Sequence, residues 1–285
     1  MTTDLSGRSV LVTGATPGSL GHATASALAA RGAAVVVTAR SRVLDVVAAS
    51  AAVAGHPLDL ADAVSVSTFA RWFDAEVGRL DVLVNNAGIH LDLRSCWKEP
   101  RLTPDGHELH WRTNYLGTAH LTHLLLPTLL ASDAPRVVNV VSKLHARGTN
   151  AAVLDGVDPY DSWVAYGTSK LALIHHANEL GRRHPVATAS LHPGSVYTHI
   201  ADRGLEGHRV LSGLRRVFAP LERRALLSPE QGAATVVHCA TEPSVSGYYE
   251  RSASKDPSPD ARDVGVAATL WDRTASWLDG LPATP

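Results

Sequence analysis

Apolar residues recur along this chain in short unbroken runs with few alternating polar positions. "SVLVTG" (9–14), "AAVVVTAR" (33–40), "LDVLVNNAG" (80–88), "PRVVNVVS" (135–142) and "VATASLHPG" (186–194) have this character, and "HPLDLAD" (56–62) reads as a short strand and turn. Longer helical segments lie between them: an alanine-rich one at 22–32 that ends at Gly32, then 64–78, 107–131 and 166–183. A polar loop with Pro100 and Pro104 precedes the third. Strands apolar on both faces, alternating with helices, predict a parallel sheet covered on both sides. No repeat or shift in composition divides the chain, so 1–285 reads as a single doubly wound α/β (Rossmann) domain. A last helical segment, 266–281, closes it, with Trp271 and Trp277 expected to pack.

One apolar stripe stands apart. Val210, Leu211, Leu214, Val217, Phe218 and Leu221 fall at helical spacing, with Arg209, Arg215, Arg216, Arg223 and Arg224 interleaved. An amphipathic helix results. The expectation is a substrate lid at about 198–228; a surface helix and a membrane-surface contact are the alternatives.

Composition narrows the function classes. Of 285 residues, 45% are hydrophobic and 19% charged, enough for a large core, and the formal net charge of −1 gives no general pull toward nucleic acid or anionic lipid. No nucleic-acid partner is expected. The sequence shows no signal peptide and no apolar run of transmembrane length, and Cys96 and Cys239 make no disulfide or zinc spacing. The expected compartment is the cytoplasm. Histidine is plentiful, and His120 and His123 lie three apart on a helix, but no HExxH or Cys/His cluster occurs and no metal site is expected. His90 and His145 read as loop residues within reach of a substrate pocket.

Two stretches carry candidate chemistry. "TGATPGSLG" (13–21) joins the first strand to the first helix. Gly14, Gly18 and Gly21 allow a sharp turn and the close approach of a pyrophosphate, with Thr16, Ser19 and Leu20 beside it at the helix N-terminus; an empty βα turn is the alternative. The second strand ends in Arg40, followed by Ser41 and Arg42, where an acidic residue would have read a ribose hydroxyl. A guanidinium there suits a 2′-phosphate, which favours NADP(H) over NAD(H), although a surface arginine would look the same. In "VAYGTSKLA" (164–172), Tyr166 and Lys170 are one helical turn apart and share a face, as a proton-transfer unit would.

Taken in order, the motifs identify the chain as resembling the short-chain dehydrogenases/reductases: the glycine turn, "LDL" (58–60), "NNAG" (85–88), Asn114 in "TNYLG", Ser142 in "VVNVVS", the YxxxK pair and "HPGSVYT" (192–198). "TPDGHELHWRTNYLG", "WVAYGTSKLA", "ASLHPGSVYT" and "LSPEQGAATVVHCAT" are most similar to the retinol-dehydrogenase-like group and its bacterial relatives. The resemblance implies that Asp59 and Leu60 border the adenine, that Asn86, Ala87 and Gly88 line the cofactor, and that Pro193, Gly194, Val196 and Thr198 hold the nicotinamide end. It implies catalytic roles for four residues: Tyr166 as general acid/base, Lys170 tuning the phenol and holding the nicotinamide ribose, Ser142 hydrogen-bonding the substrate oxygen, and Asn114 supporting a proton relay. Two departures are visible. The turn is spaced GxxxGxxG where the family has GxxxGxG, as in ketoreductase domains of some fatty-acid synthases, and Val141 replaces a frequent serine. The expected activity is NADP(H)-dependent hydride transfer between the nicotinamide and an apolar small-molecule carbonyl or alcohol. A ketoreductase for acyl or polyketide chains and a non-catalytic dinucleotide sensor are the alternatives. Relatives often form homo-oligomers through the helices expected at 107–131 and 165–183.

Overall fold

Each expected strand run forms a parallel strand. In the structure, a computed structural model describing residues 3–90, 98–196 and 226–282, these are β1 (Ser9–Val12), β2 (Ala34–Ala39), β3 (Ala54–Pro57), β4 (Val82–Asn85), β5 (Arg136–Val140) and β6 (Ala187–His192). Two further strands, β7 (Gly247–Glu250) and β8 (Ala253–Lys255), complete an eight-stranded sheet in the order β3-β2-β1-β4-β5-β6-β7-β8. Only the β7–β8 pair is antiparallel. Successive side chains serve opposite faces, which is why the runs are unbroken. Val10 and Val12 pack in one core cluster with Ala23, Ala25 and Leu28 of α1 (Leu20–Ala29) and Val236 and Cys239 of α7 (Pro229–Thr241). Leu11, between them, packs in the other with Phe69 and Phe73 of α3 (Ala63–Glu76) and Leu121, Leu125 and Leu129 of α4 (Gly117–Leu130).

Helix starts are written locally. The Ser19 hydroxyl accepts from the His22 amide at the start of α1, and Asp62 does the same for Val64 ahead of α3. Ser228 and Gln231 form a reciprocal capping box with Pro229 in the first turn of α7. The longest helix is α6 (Ser162–Arg183), capped by Asp161; it starts one turn before the expected 166 because that cap, not the apolar pattern, sets its beginning. The shorter helices α2 (Val43–Ser50) and α5 (Asn150–Asp155) carry too few turns for a readable stripe.

The segment expected as one helix at 107–131 is helical from 109 to 130 but includes a wider turn. A π-helical turn, Trp111–Leu116, precedes α4. The wider turn accompanies two inward-reaching side chains, Arg112 and Asn114, both fully buried.

The closing helix forms as α8 (Val264–Asp279) and lies on α6. The Tyr115 and Thr274 hydroxyls are 2.6 Å apart, Trp271 stacks on His176 at 5.1 Å, and Arg183 pairs with Asp272 at 3.0 Å. With α8 in place, this face of α6 is covered by the chain itself, although α6 is one of the helices expected to carry an oligomer contact. The expected lid lies outside the described residues except for 226–228, as do Thr198 and Cys96. Beside it, Val196 and Leu227 pair as a parallel β-bridge.

Candidate active site

Beyond β1 the sheet grows toward β2 and β3, and beyond β4 in the opposite direction. Helices therefore diverge where β1 and β4 meet, and a crevice opens at the carboxyl ends of the strands. A cleft of about 640 Å³ occupies this position. Gly14, Thr16, Ser19, Leu20, Arg40, Ser41, Asp59, Leu60, Asn86, Ala87, Gly88, Ser142, Tyr166, Lys170, Pro193, Gly194 and Val196 all line it. Gly18, Gly21 and Asn114 do not; Gly21 and Asn114 are buried, and Gly18 is exposed at the turn.

The lengthened glycine turn is well held. Gly14 and Gly18 have φ of 71° and 76°, conformations that a side chain would strain. The Gly14 amide donates to the Thr38 hydroxyl (3.2 Å), and Asn86 Nδ2 donates to the carbonyls of Thr13 (2.7 Å) and Gly14 (3.1 Å). Gly21 sits so close behind that a methyl group there would stand 2.6 Å from the Gly14 carbonyl oxygen. The first turn of α1 thus opens on the cleft with amides that no helical carbonyl can satisfy, as an anionic group requires. Arg40, at the end of β2, is exposed beside this turn. Arg42, expected to help it, instead pairs with Asp45 at 2.7 Å. The Asp59 carboxylate accepts from the Ala61 amide (2.9 Å) and shapes its own turn.

Opposite, α6 and the end of β5 bring three polar groups together. The Ser142 hydroxyl lies near the Tyr166 phenol; burial pushes that phenol up to about 12, and Ser142 opposes this only in part. Burial brings the Lys170 ammonium down to about 8. Its Nζ donates to the Val140 carbonyl (3.2 Å) and stands 5.9 Å from the Tyr166 ring centre. The resemblance implies that Lys170 draws the phenol down; in the structure burial raises it, and the opposing contribution comes from Ser142. Asn114 binds both backbone groups of Ile89 (2.7 and 3.0 Å) and the Ser169 hydroxyl (3.0 Å), clamping the loop after β4 to α6. A methyl on Gly88 would stand 3.0 Å from Lys170 Nζ and 3.2 Å from Asn114 Oδ1, so a side chain there would press on both.

Several supporting residues were not legible in the sequence. Asn85 donates to Asn139 (2.9 Å), which donates to the Leu173 carbonyl (3.0 Å), tying two strands to the helix that carries Tyr166. The doubled asparagine of "NNAG" and the polar residue inside "VVNVV" are the only signals. Arg112, wholly buried, donates to the Leu60 carbonyl (2.7 Å) and to Asp105 (2.6 Å), bracing the wall near Leu60. His90 lines the cleft and stacks on the Tyr166 ring, with centres 4.1 Å apart. His145 has a packing role: Nδ1 lies 2.8 Å from the Ser142 carbonyl, and Nε2 accepts from the Ser258 amide (3.0 Å). Burial holds His120, His175 and His176 down at about 4, so these histidines are neutral packing groups near pH 7. Among the described residues no three histidine, cysteine or carboxylate side chains gather as a metal ligand set.

Comparison with known proteins agrees with this geometry. Residues 8–207 match the short chain dehydrogenase family. Human retinol dehydrogenase 11 is 35% identical over 297 residues, covering 99% of this chain and 88% of its own. Polyprenol dehydrogenase of Mus musculus is 40% identical, covering 93% and 82%. A solved structure of an uncharacterized protein from Mycobacterium Paratuberculosis superposes with a TM-score of 0.74 at 31% identity, covering 98% of this chain and 96% of that one. A short chain dehydrogenase from Shigella flexneri complexed with NADP shares the fold, with a TM-score of 0.64 at 20% identity over 89% of this chain and 100% of that one. A parallel sheet that reverses direction at β1 and β4, a glycine turn at that crevice and relatives aligned over nearly the whole chain make this protein a member of the short-chain dehydrogenase/reductase family of oxidoreductases.

Proposed function

We propose that the protein is an NADP(H)-dependent oxidoreductase acting on an apolar carbonyl/alcohol pair, with Tyr166 as its general acid/base. The observation that carries this reading is the convergence of Ser142, Tyr166 and Lys170 on the cleft that also holds the glycine turn. A dinucleotide sensor needs the turn but not the other three.

The cofactor fits the residues present. The amides at the start of α1 suit a pyrophosphate, exposed Arg40 with Ser41 suits a 2′-phosphate, and Gly88 leaves room beside Lys170. When bound, the nicotinamide exchanges a hydride with the substrate carbon. The protein's part is proton transfer at the substrate oxygen. A phenol at about 12 stays protonated through the neutral range, the state a proton donor to a carbonyl needs. Ser142, close to that phenol in the same cleft, is placed to donate to the same oxygen and steady its developing charge. Below about pH 8, Lys170 is an ammonium near the ring and stabilises the phenolate left behind. In the oxidative direction Tyr166 must first be deprotonated to take the alcohol proton, so a phenol at about 12 favours reduction.

The cleft also suits an apolar substrate, because Ile89, Leu102, Pro104, Leu109, Val141 and Val196 contribute to its lining. Retinol and polyprenol, in the names of two relatives, are long hydrocarbon alcohols, and a substrate of that character fits this wall.

The test is turnover of a panel of aldehydes and ketones, short to long, followed by loss of NADPH absorbance. Tyr166→Phe should bind NADPH with unchanged affinity and lose about 10²- to 10⁴-fold in rate, the range for general acid catalysis. Near-wild-type turnover by that variant, or no turnover of any carbonyl by the native protein, would overturn the reading.

A further inference from the structure

His90 touches none of the bonds that react in the proposed mechanism, yet its ring lies face to face on the Tyr166 phenol, 4.1 Å between centres and tilted by 22°. Three observations show that this stack is built. The Trp163 ring meets His90 edge-on at 4.7 Å and 89°. His110 stands edge-on to both members of the stack, 6.0 Å from His90 and 6.0 Å from Tyr166. Behind His110, Glu108 Oε1 lies 2.9 Å from Nδ1 and accepts from the Tyr160 hydroxyl at 3.0 Å, while Oε2 accepts from the Trp111 amide at 2.7 Å. A carboxylate only accepts, so Nδ1 of His110 carries the proton and the ring plane is fixed. His110 is wholly buried and His90 nearly so.

Burial raises the Glu108 carboxyl, but the hydrogen bond and charge of His110 together with the Trp111 and His110 amides outweigh it and leave the group below the usual carboxylate range. A charge kept behind a buried imidazole costs desolvation that a leucine would avoid. Such a cost is expected where an orientation has to be fixed.

Resting on the proposed role of Tyr166, we infer that Glu108, His110 and His90 form a positioning chain that fixes the phenol for proton transfer. Glu108 sets the His110 ring, and His110 and Trp163 set His90. His90 then covers one face of the Tyr166 ring, so the substrate oxygen meets the phenol at its hydroxyl edge beside Ser142. Lys170 and Ser142 are the other polar groups described at the ring. None of the three residues of the chain gives or takes a proton from substrate.

Misplacing a reacting group by about 1 Å costs on the order of 10²-fold in rate. His90→Ala should therefore lower kcat by about 10- to 10²-fold, with the NADPH dissociation constant unchanged. His90→Phe, which keeps a flat ring on the phenol, should restore most of that loss. Glu108→Gln, unable to hold all three of its donors as a carboxylate does, should fall between them. With deuterated NADPH, slowed variants should show a larger isotope effect on kcat, because a misaligned phenol slows the chemical step. A readout independent of activity is the proton spectrum of histidine-labelled protein. The His90 ring protons should be shifted upfield by the stacked phenol and should move in Glu108→Gln. Equal kcat in His90→Ala and wild type, or His90 protons at ordinary imidazole positions, would overturn the positioning chain. Those results leave the function standing if Tyr166→Phe is inactive; an active Tyr166→Phe brings down both.

Discussion

Replacing Gly21 by alanine should damage cofactor binding more than any other single methyl group at the glycine turn. The new carbon would lie 2.6 Å from the Gly14 carbonyl oxygen and closer still to Asn86 Nδ2. An ordinary contact needs about 0.8 Å more, by the spacing at which non-bonded atoms attract. Neither neighbour is free to move that far. Asn86 Nδ2 bridges the Thr13 and Gly14 carbonyls at 2.7 and 3.1 Å, and the Asn86 amide is bound by the Thr13 hydroxyl at 3.0 Å. Overpacking of this kind costs about 1–3 kcal/mol, and a hydrogen bond lost from the bridge about 1 kcal/mol more. The total, about 2–4 kcal/mol, corresponds to a fall in Tm of roughly 4 °C or more for a chain of this size. The Gly14 carbonyl and the start of α1 would both be displaced, so the dissociation constant for NADPH should rise at least about tenfold, which is 1.4 kcal/mol. Calorimetry and fluorescence titration measure the two effects. An unchanged Tm with unchanged affinity would show that the close approach of Gly21 to Gly14 is not a feature of the folded protein. A lowered Tm with unchanged affinity would place the dinucleotide elsewhere.

Arg40→Asp removes the exposed guanidinium at the end of β2 and adds a repelling charge; Arg42 pairs with Asp45, and among the described residues no other arginine lines the cleft. A charge-assisted hydrogen bond is worth about 1.5–3 kcal/mol, so the ratio of kcat/KM for NADPH over NADH should fall at least about tenfold, and an unchanged ratio would reject Arg40 as the phosphate partner. Asp81 gives a pH test of stability. Although burial raises its carboxyl, Arg79, Ser132, the Ser9 amide and Arg8 together hold it well below the usual carboxylate range. A carboxyl depressed on folding contributes stability that is complete above its unfolded value of about 3.9 and fades as the pH drops below it. Asp81→Asn should therefore be clearly less stable than wild type in urea at pH 7, and the gap should narrow below about pH 4; a gap constant with pH would mean the charge of Asp81 is not what stabilises the fold.

The parallel sheet was legible because burial on both faces removes polar residues from a strand, and that requirement acts position by position on β1, β2, β4 and β5. The glycine turn, Arg40 and the Tyr166–Lys170 spacing were legible for a similar reason: backbone conformation, strand end and helical turn are set by neighbours in the chain. Only the tertiary structure decided the rest. The π turn that carries Arg112 and Asn114 inward coincides with contacts to Leu60, Ile89 and Ser169, which come from distant segments. Strands β7 and β8, GYYE and ASK, carry no apolar run; β7 forms because β6 offers it an edge, and β8 because β7 does. His90 gave no sign of its place on the Tyr166 ring, because 76 residues of chain separate the two and only the adjacency of β4 to the α6 side of the sheet closes that distance. The height of the phenol pKa was equally invisible: a motif lists Lys170 beside Tyr166, but burial is a property of everything packed around them.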